Sequence, residues 1–364
     1  MNGKAIALAA LLALGPQAAQ AGTKLTVFEW EGYISLHEKD FEAYAKSKGR
    51  DIDLEFVRKA DGSVQYIGNA DDIVQALAAG KADIVTPTHN YYQQEQGKLI
   101  ALLAPVDTAK IENYGDVYPV LRDLDAFKGA GGKVHGVPLL GGSYALAYNA
   151  AKGPGPKSWQ VLLDPTAKGT FQITSDQYEA NIYQAALLAG VKADAVFDVE
   201  KMTPEQKAKT QEILNKLVAN AAGFWGGMPD KAAMKDLRYV TDYWFGVAAA
   251  NADGQKWAIP RTEEPVTVWL DTLAIAKQAA ASPEKMEAAH LLFGYLVGVQ
   301  AQQKIAEAFG SVIVNGKARA LVGAALPGDE FFTPALFWRP LSAKTRIAYR
   351  EMWDAALKAS GKKA

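Results

Sequence analysis

The stretch KLTVFEWEGYISLHEKDFEAYAKSKGRDIDLEFVR, residues 24–58, decides the fold class. Its first seven residues are rich in β-branched and aromatic types and predict a strand that Gly32 ends. SLHEKDFEAYAKSKG then reads as a helix, with Ser35 as a candidate cap and Gly49 as the stop. DIDLEFVR is a second strand. The cycle repeats: NADDIVQALAAGKA predicts a helix capped by Asn69 or Asp71 and closed by Gly80, and DIVTPT a short strand broken at Pro87. Alternating strands and helices imply an α/β layer with parallel strands, where ligands sit beyond the carboxyl ends. Those ends carry Trp30 and Tyr33, then Thr88 and Asn90.

Working outward, KVHGVPLLGGSYALAYNAAK predicts two short strands around Gly141-Gly142. GTFQITSDQYEANIYQAALLAG passes from strand to helix, and PEQKAKTQEILNKLVAN is an amphipathic helix. YVTDYWFGVAAAN runs from a turn into a helix or strand. SPEKMEAAHLLFGYLVGVQAQQKIAEAFG is helical, with Ser282 capping and Pro283 at the first position. No internal repeat or low-complexity segment interrupts the pattern. At 364 residues the chain exceeds one ordinary core, so two lobes are expected.

The first 21 residues stand apart. Lys4 precedes an apolar run from Ala5 to Leu14, and Ala19-Gln20-Ala21 has the A-x-A form of a cleavage site. This is the pattern of a signal peptide at residues 1–21, its apolar run too short to span a bilayer. The chain is therefore expected to be exported, soluble and periplasmic. Lys and Arg number 39 against 40 Asp and Glu, a balance that argues against a nucleic-acid partner. With no cysteine, the chain has no disulfide, thiolate metal site or Cys nucleophile. His37, His89, His135 and His290 lie far apart, without metal-ligand spacing, and are expected as ordinary surface or loop residues. GGSYA (141–145) lacks the frame of a nucleophile elbow and GAGGKV (129–134) that of a phosphate loop; both read as turns. No metal or cofactor is expected.

VTVWLDTLAIA, residues 266–276, poses a different problem. The apolar run reads as a buried strand, yet it carries Asp271, two residues after Trp269 and on the same face. Burying a carboxylate without a partner is expensive. Asp176 and Glu179 form a second acidic feature, at i, i+3 where strand FQIT gives way to a helix. Capping of that helix and an acid–base pair both fit this spacing. Trp30, Tyr33, Trp244 and Trp269 each sit at or near a strand end. Aromatic faces and carboxylates both attract ammonium groups. Acids and aromatics without a nucleophile or metal describe a receptor for an organic cation.

At this point the sequence resembles the periplasmic spermidine/putrescine-binding proteins of ABC transporters. The landmarks, in order, are VFEWEGYI, DIVTPT, VPLLGGSYALAYN, SWQVLLDPTAKG, ITSDQYE, DYWFG, VWLDTLAI and AEAFGSVIVN, spread from about Leu25 to about Trp353. The resemblance implies an α/β, two-lobed periplasmic binding protein fold whose cleft closes over ligand by hinge motion. Lobe 1 is expected at 22–139 plus about 270–316, and lobe 2 at about 140–269 plus 317–364. It also implies ligand contacts at Trp30, Tyr33, Thr88, Asp176, Glu179, Trp244, Trp269 and Asp271. The Asp on the returning strand would hold an amine, and the aromatics would stack along the methylene chain. Departures from the family pattern fall at Glu31, Asn90, Ser311 and Arg339. Arg339 either stays out of the cleft or enters it and meets a ligand carboxylate or phosphonate.

The expected function is capture, by a monomeric non-enzyme, of a polyamine such as putrescine or spermidine for delivery to a membrane permease. A zwitterionic or other amine held through Arg339 is the alternative reading. An exported hydrolase using Asp176 and Glu179 is a remote third.

Overall fold

The computed structural model describes residues 22–322, 328–332 and 337–363; the leader expected at 1–21 lies outside the described residues. The strands are β1 (Thr23–Phe28), β2 (Ile52–Phe56), β3 (Ile84–Val85), β4 (Val137–Ser143), β5 (Ala145–Asn149), β6 (Phe171–Thr174), β7 (Gly223–Trp225), β8 (Tyr239–Asp242), β9 (Trp257–Ala258), β10 (Val268–Ile275) and β11 (Val312–Ile313). The helices are α1 (Glu38–Ser47), α2 (Ala70–Ala78), α3 (Pro119–Arg122), α4 (Glu179–Leu188), α5 (Pro204–Asn220), α6 (Lys231–Met234), α7 (Phe245–Ala252), α8 (Pro283–Leu296), α9 (Val299–Phe309), α10 (Gly316–Val322) and α11 (Ala343–Ser360).

Two sheets organise these elements. One has the order β11-β4-β10-β3-β1-β2 and the other β7-β6-β8-β5-β9. Local chemistry sets the element ends. Asn69 accepts from the Asp71 and Asp72 amides while Asp72 reciprocates to the Asn69 amide, which starts α2. Ser282 accepts from the Lys285 amide, with Pro283 at the first helical position of α8. In the first sheet β1 is parallel to β2 and β3, as the alternating pattern predicts, but β10 runs antiparallel to both β3 and β4. All eight residues of β10 are buried, so its sequence reads as one apolar run. In the second sheet α4, α5 and α11 pack together, and fully buried Trp353 of α11 stacks on Tyr178 at 5.8 Å.

The strands cross between the sheets abruptly. β4 ends at Ser143 and β5 begins at Ala145, leaving Tyr144 as the whole first connection. Its hydroxyl donates to Asn181 Oδ1 and lies 2.7 Å from the Thr241 hydroxyl of β8, anchoring it on the second sheet. Residues 259–267 make the second crossing, from β9 to β10. The chain is next beside β10 at Phe337, which bridges Val268 in parallel, while the Trp338 amide donates to the Val268 carbonyl at 2.9 Å.

His89 locks this junction. The Leu270 amide donates to its Nδ1 at 3.2 Å, so Nε2 carries the proton and donates to the Trp338 carbonyl at 2.8 Å. Burial lowers its pKa to about 4, which keeps the ring neutral. His37, His89 and His290 are buried and His135 nearly so, correcting the surface placement expected of them.

Two further expectations change. Gly141 and Gly142 do not separate two strands; both lie inside β4. Gly142 pairs with Trp269 of β10, and a Cβ there would sit 2.6 Å from the indole ring. The glycine is required by close approach of the Trp269 ring, not by a turn. Sheet membership also breaks the chain near 143/145 and before 268, a few residues from the expected 139/140 and 269/270. In the tail, α10 packs on α9 and Phe332 lies against Gly141 of β4, whereas α11 packs on α5 and α4.

Gly142→Ala is expected to destabilise the protein by about 1–3 kcal/mol through overpacking. In urea its unfolding midpoint should fall with the slope unchanged. A midpoint equal to that of the parent protein would show that Trp269 can move aside.

Candidate functional site

A cavity of about 740 Å3 opens between the two sheets. Trp30, Tyr33, Thr88, Trp269 and Asp271 wall it from the first sheet. Asp176, Met228, Tyr243 and Phe245 wall it from the second, and Trp338 enters from the segment that pairs with Val268.

The β1 loop is shaped by a buried acid. Glu29, 1% exposed, follows β1 and accepts the backbone amides of Ile34 and Ser35. This folds residues 30–34 back on themselves. Gly32 makes the bend at φ +86°, and a Cβ there would press on Phe309 at 3.2 Å. The Trp30 amide donates to Thr86 Oγ1 at 2.9 Å. Burial pushes the Glu29 carboxyl up, while the Ser35 hydroxyl and the loop amides pull it back.

Asp271 sits on β10 where the pairing with β4 shifts register between Asp271 and Thr272. Such irregularities re-aim side chains. Trp269 and Asp271 both face the cavity, as strand alternation predicts. The Tyr33 hydroxyl donates to Asp271 Oδ2 at 2.7 Å. Oδ1 is buried without a hydrogen-bond partner. Burial pushes this carboxyl up to about 7, with the nearby Thr88 and Tyr33 hydroxyls pulling against it.

Around this acid the aromatics interlock, edge to face except for the tilted pair Phe245 and Trp269. Tyr33 meets Phe309 at 5.5 Å and Phe245 at 6.4 Å, and Phe245 meets Trp269 at 5.4 Å. Tyr243 continues the wall to Trp269 at 6.4 Å and to Trp338 at 6.0 Å. The indole nitrogens of Trp30, Trp269 and Trp338 are buried without partners. Polar atoms left this way on one cavity are candidates for ligand or water contacts.

Asp176 also lines the cavity, and both its oxygens hold backbone. Oδ1 accepts from the Thr174 hydroxyl at 2.6 Å and the Gln177 amide at 2.8 Å, and Oδ2 from the Gly227 amide at 2.6 Å. It ties two loops together instead of capping α4, which starts at Glu179. Glu179 lines an adjoining cavity of about 310 Å3 that shares Asp176, Gln177 and Trp338 with the main one. Burial pushes its carboxyl up, while the Tyr178 hydroxyl, Arg350 and Arg346 pull it down. Arg346 pairs with Glu95, and Arg350 lies 4.1 Å over the Tyr178 ring.

Of the expected residues, Trp30, Glu31, Tyr33, Thr88, Asp176, Trp269 and Asp271 line the main cavity, with Glu31 exposed. Asn90 belongs with Glu179 in the adjoining one, its Oδ1 buried without a partner. Trp244, Ser311 and Arg339 line neither. Trp244 takes φ +85°, a rare value for a bulky residue; its indole donates to Ser143 Oγ at 3.1 Å and packs on Phe331. Tyr243 and Phe245, its neighbours, take the cavity. Ser311 is fully buried beside β11. Arg339 is half-buried, and Trp338 before it reaches the cavity. Tyr66, Met228, Tyr243, Phe245, Phe309 and Trp338 were absent from the sequence reading, although DYWFG and AEAFGSVIVN contain three of them. Among the described residues no group of three or more His, Cys, Asp or Glu could hold a metal.

The chain is similar to the spermidine/putrescine-binding periplasmic protein of Escherichia coli K12, 24% identical over 333 residues, covering 90% of this chain and 88% of that one. Among solved structures it is similar to the spermidine/putrescine ABC transporter substrate-binding protein PotD of Streptococcus pneumoniae, with TM-score 0.72, 16% identity, and coverage of 93% of this chain and 100% of that one. The fold also matches the periplasmic binding protein MotA of Agrobacterium tumefaciens B6 in complex with glucopine, with TM-score 0.63, 17% identity, and coverage of 93% and 100%. The model of the bacterial extracellular solute-binding proteins matches residues 39–330. With its two-lobed α/β architecture and the cleft between its sheets, the chain belongs to that family of transport binding proteins.

Proposed function

We propose that this protein captures an organic amine in the cavity between its sheets and delivers it to the membrane permease of an ABC importer. The observation that carries the proposal is Asp271, a buried carboxylate with one oxygen unpartnered, set in an aromatic-walled cavity. Trp30, Tyr33 and Trp269 supply walls suited to cation–π contact. Polyamines, for which the E. coli relative is named, are the reference ligands. In this proposal residues 1–21 direct export to the periplasm. The first lobe is residues 22–143 with 268–322 and the second is 145–258 with 343–363, hinged at the crossings.

Arg346 and Arg350 in the adjoining cavity favour a second reading, in which a ligand carries an amine to Asp271 and an anionic group toward Arg350. They take the place that Arg339 held in the sequence reading. The glucopine complex of MotA shows that this fold accommodates ligands other than polyamines.

Asp271→Ala is expected to weaken amine binding by about 2–5 kcal/mol, as for truncation of a buried charge pair. Calorimetry with putrescine, spermidine and other amines measures it, and unchanged affinity would move the counter-charge elsewhere.

Protons compete with the ligand at Asp271. Its ligand-free pKa of about 7 means that cation capture below this pH must displace a proton. The dissociation constant should therefore rise roughly tenfold per pH unit below 7. A flat profile between pH 5 and 8 would show that Asp271 carries no charge to the ligand.

The same group sets a stability trend of opposite sign. A carboxyl raised in the folded state stabilises fully below its unfolded pKa, and that contribution is lost as pH rises toward 7. Ligand-free Asp271→Asn should melt at higher temperature than the parent above pH 7, with the gain shrinking toward pH 4. Equal melting temperatures at pH 8 would contradict this.

A further inference from the structure

We infer that the preferred ligand is a primary amine with a single cationic head and a bulky, ring-bearing body, and that linear diamines fit this cavity poorly. The inference rests on the amine reading above and narrows it.

The first argument is the supply of counter-charge. Three acids line the main cavity: Glu31, Asp176 and Asp271. Glu31 and Asp176 are exposed, and both oxygens of Asp176 already accept hydrogen bonds, from Thr174, Gln177 and Gly227. Glu179 stands in the adjoining cavity with Arg346 and Arg350 beside it. Only Asp271 is buried with an oxygen unused. A diamine that places one ammonium on Asp271 would bring the second against aromatic walls without a buried carboxylate. Desolvating an ammonium without such a partner is unfavourable.

The second argument is shape. Eight aromatic side chains line the cavity. Its volume of about 740 Å3 falls within the ~300–1,000 Å3 typical of sites for drug-sized ligands. A four-carbon chain leaves most of that wall uncovered, whereas a ring buries apolar surface and packs edge to face.

The third argument is the kind of head group. Asp271 Oδ1 is a buried acceptor, and Oδ2 is occupied by the Tyr33 hydroxyl. An N–H donor satisfies Oδ1; a quaternary ammonium leaves it orphaned.

The test uses the mature protein at pH 8 in titration calorimetry, with 2-phenylethylamine, putrescine, spermidine and the N-trimethyl derivative of 2-phenylethylamine as probes. The expected result is at least tenfold tighter binding of 2-phenylethylamine than of putrescine or spermidine. The trimethyl derivative should bind at least tenfold more weakly than the primary amine. Phe245→Ala should reduce affinity for 2-phenylethylamine more than for putrescine, with the fold checked by circular dichroism. Putrescine or spermidine binding more tightly than 2-phenylethylamine overturns this inference and leaves amine capture standing. A trimethyl derivative as tight as the primary amine overturns the assignment of the head group. If none of the four probes binds, the amine reading itself falls, and this inference with it.

Discussion

The hydrogen bond from Tyr33 to Asp271 joins side chains 238 positions apart, and the geometry of the cleft depends on it. It fixes the loop after β1 against the middle of β10, the central buried strand of the first sheet. One hydrogen bond from a neutral hydroxyl returns about 0.5–1.5 kcal/mol, less than the several kcal/mol that desolvating a carboxylate costs. The imbalance appears as the raised pKa of Asp271 and its unpartnered oxygen. Such local instability is retained where function needs it.

The rest of the architecture brings strand ends to this acid. β1 and β3 end at the loops bearing Trp30, Tyr33 and Thr88, while β6 and β8 end before Asp176 and Tyr243. The carboxyl-end rule for α/β sheets thus holds for both sheets at once. β10 is the exception, because it runs antiparallel to β3 and offers residues from its first half. Its position is secured by crossings that leave little slack. Tyr144 alone links β4 to β5, and neutral His89 bonds both to β10 and to the segment carrying Trp338.

Much of this was legible in the sequence because it is local. Strand and helix periods, the Asn69 and Ser282 caps and the shared face of Trp269 and Asp271 follow from short-range geometry. Tyr243 and Phe245 were not legible, because one dihedral, φ +85° at Trp244, turns that side chain out and its neighbours in. Gly141-Gly142 carried a turn signal, but the need for glycine came from an indole more than 120 positions away. His89 was misplaced for a related reason: its partners are backbone groups of distant segments, invisible to spacing rules. Arg339 was one residue from the side chain that counts, since the segment pairs with Val268 in a register that no local pattern encodes.

Splitting the cavity walls between two sheets gives the site a means of release as well as capture. Asp271, Tyr33 and Trp269 stand on the first sheet, while Tyr243, Phe245 and Asp176 stand on the second. Separating the sheets removes Phe245 from its contacts with Tyr33, Trp269 and Phe309, and admits water to Asp271. Hydration lowers the carboxyl's pKa and weakens its pull on an ammonium, because the same charges attract less strongly at higher dielectric. In the proposed function, one acid would thus hold a cation firmly between closed lobes and loosely between open ones, without any change in the residues it presents.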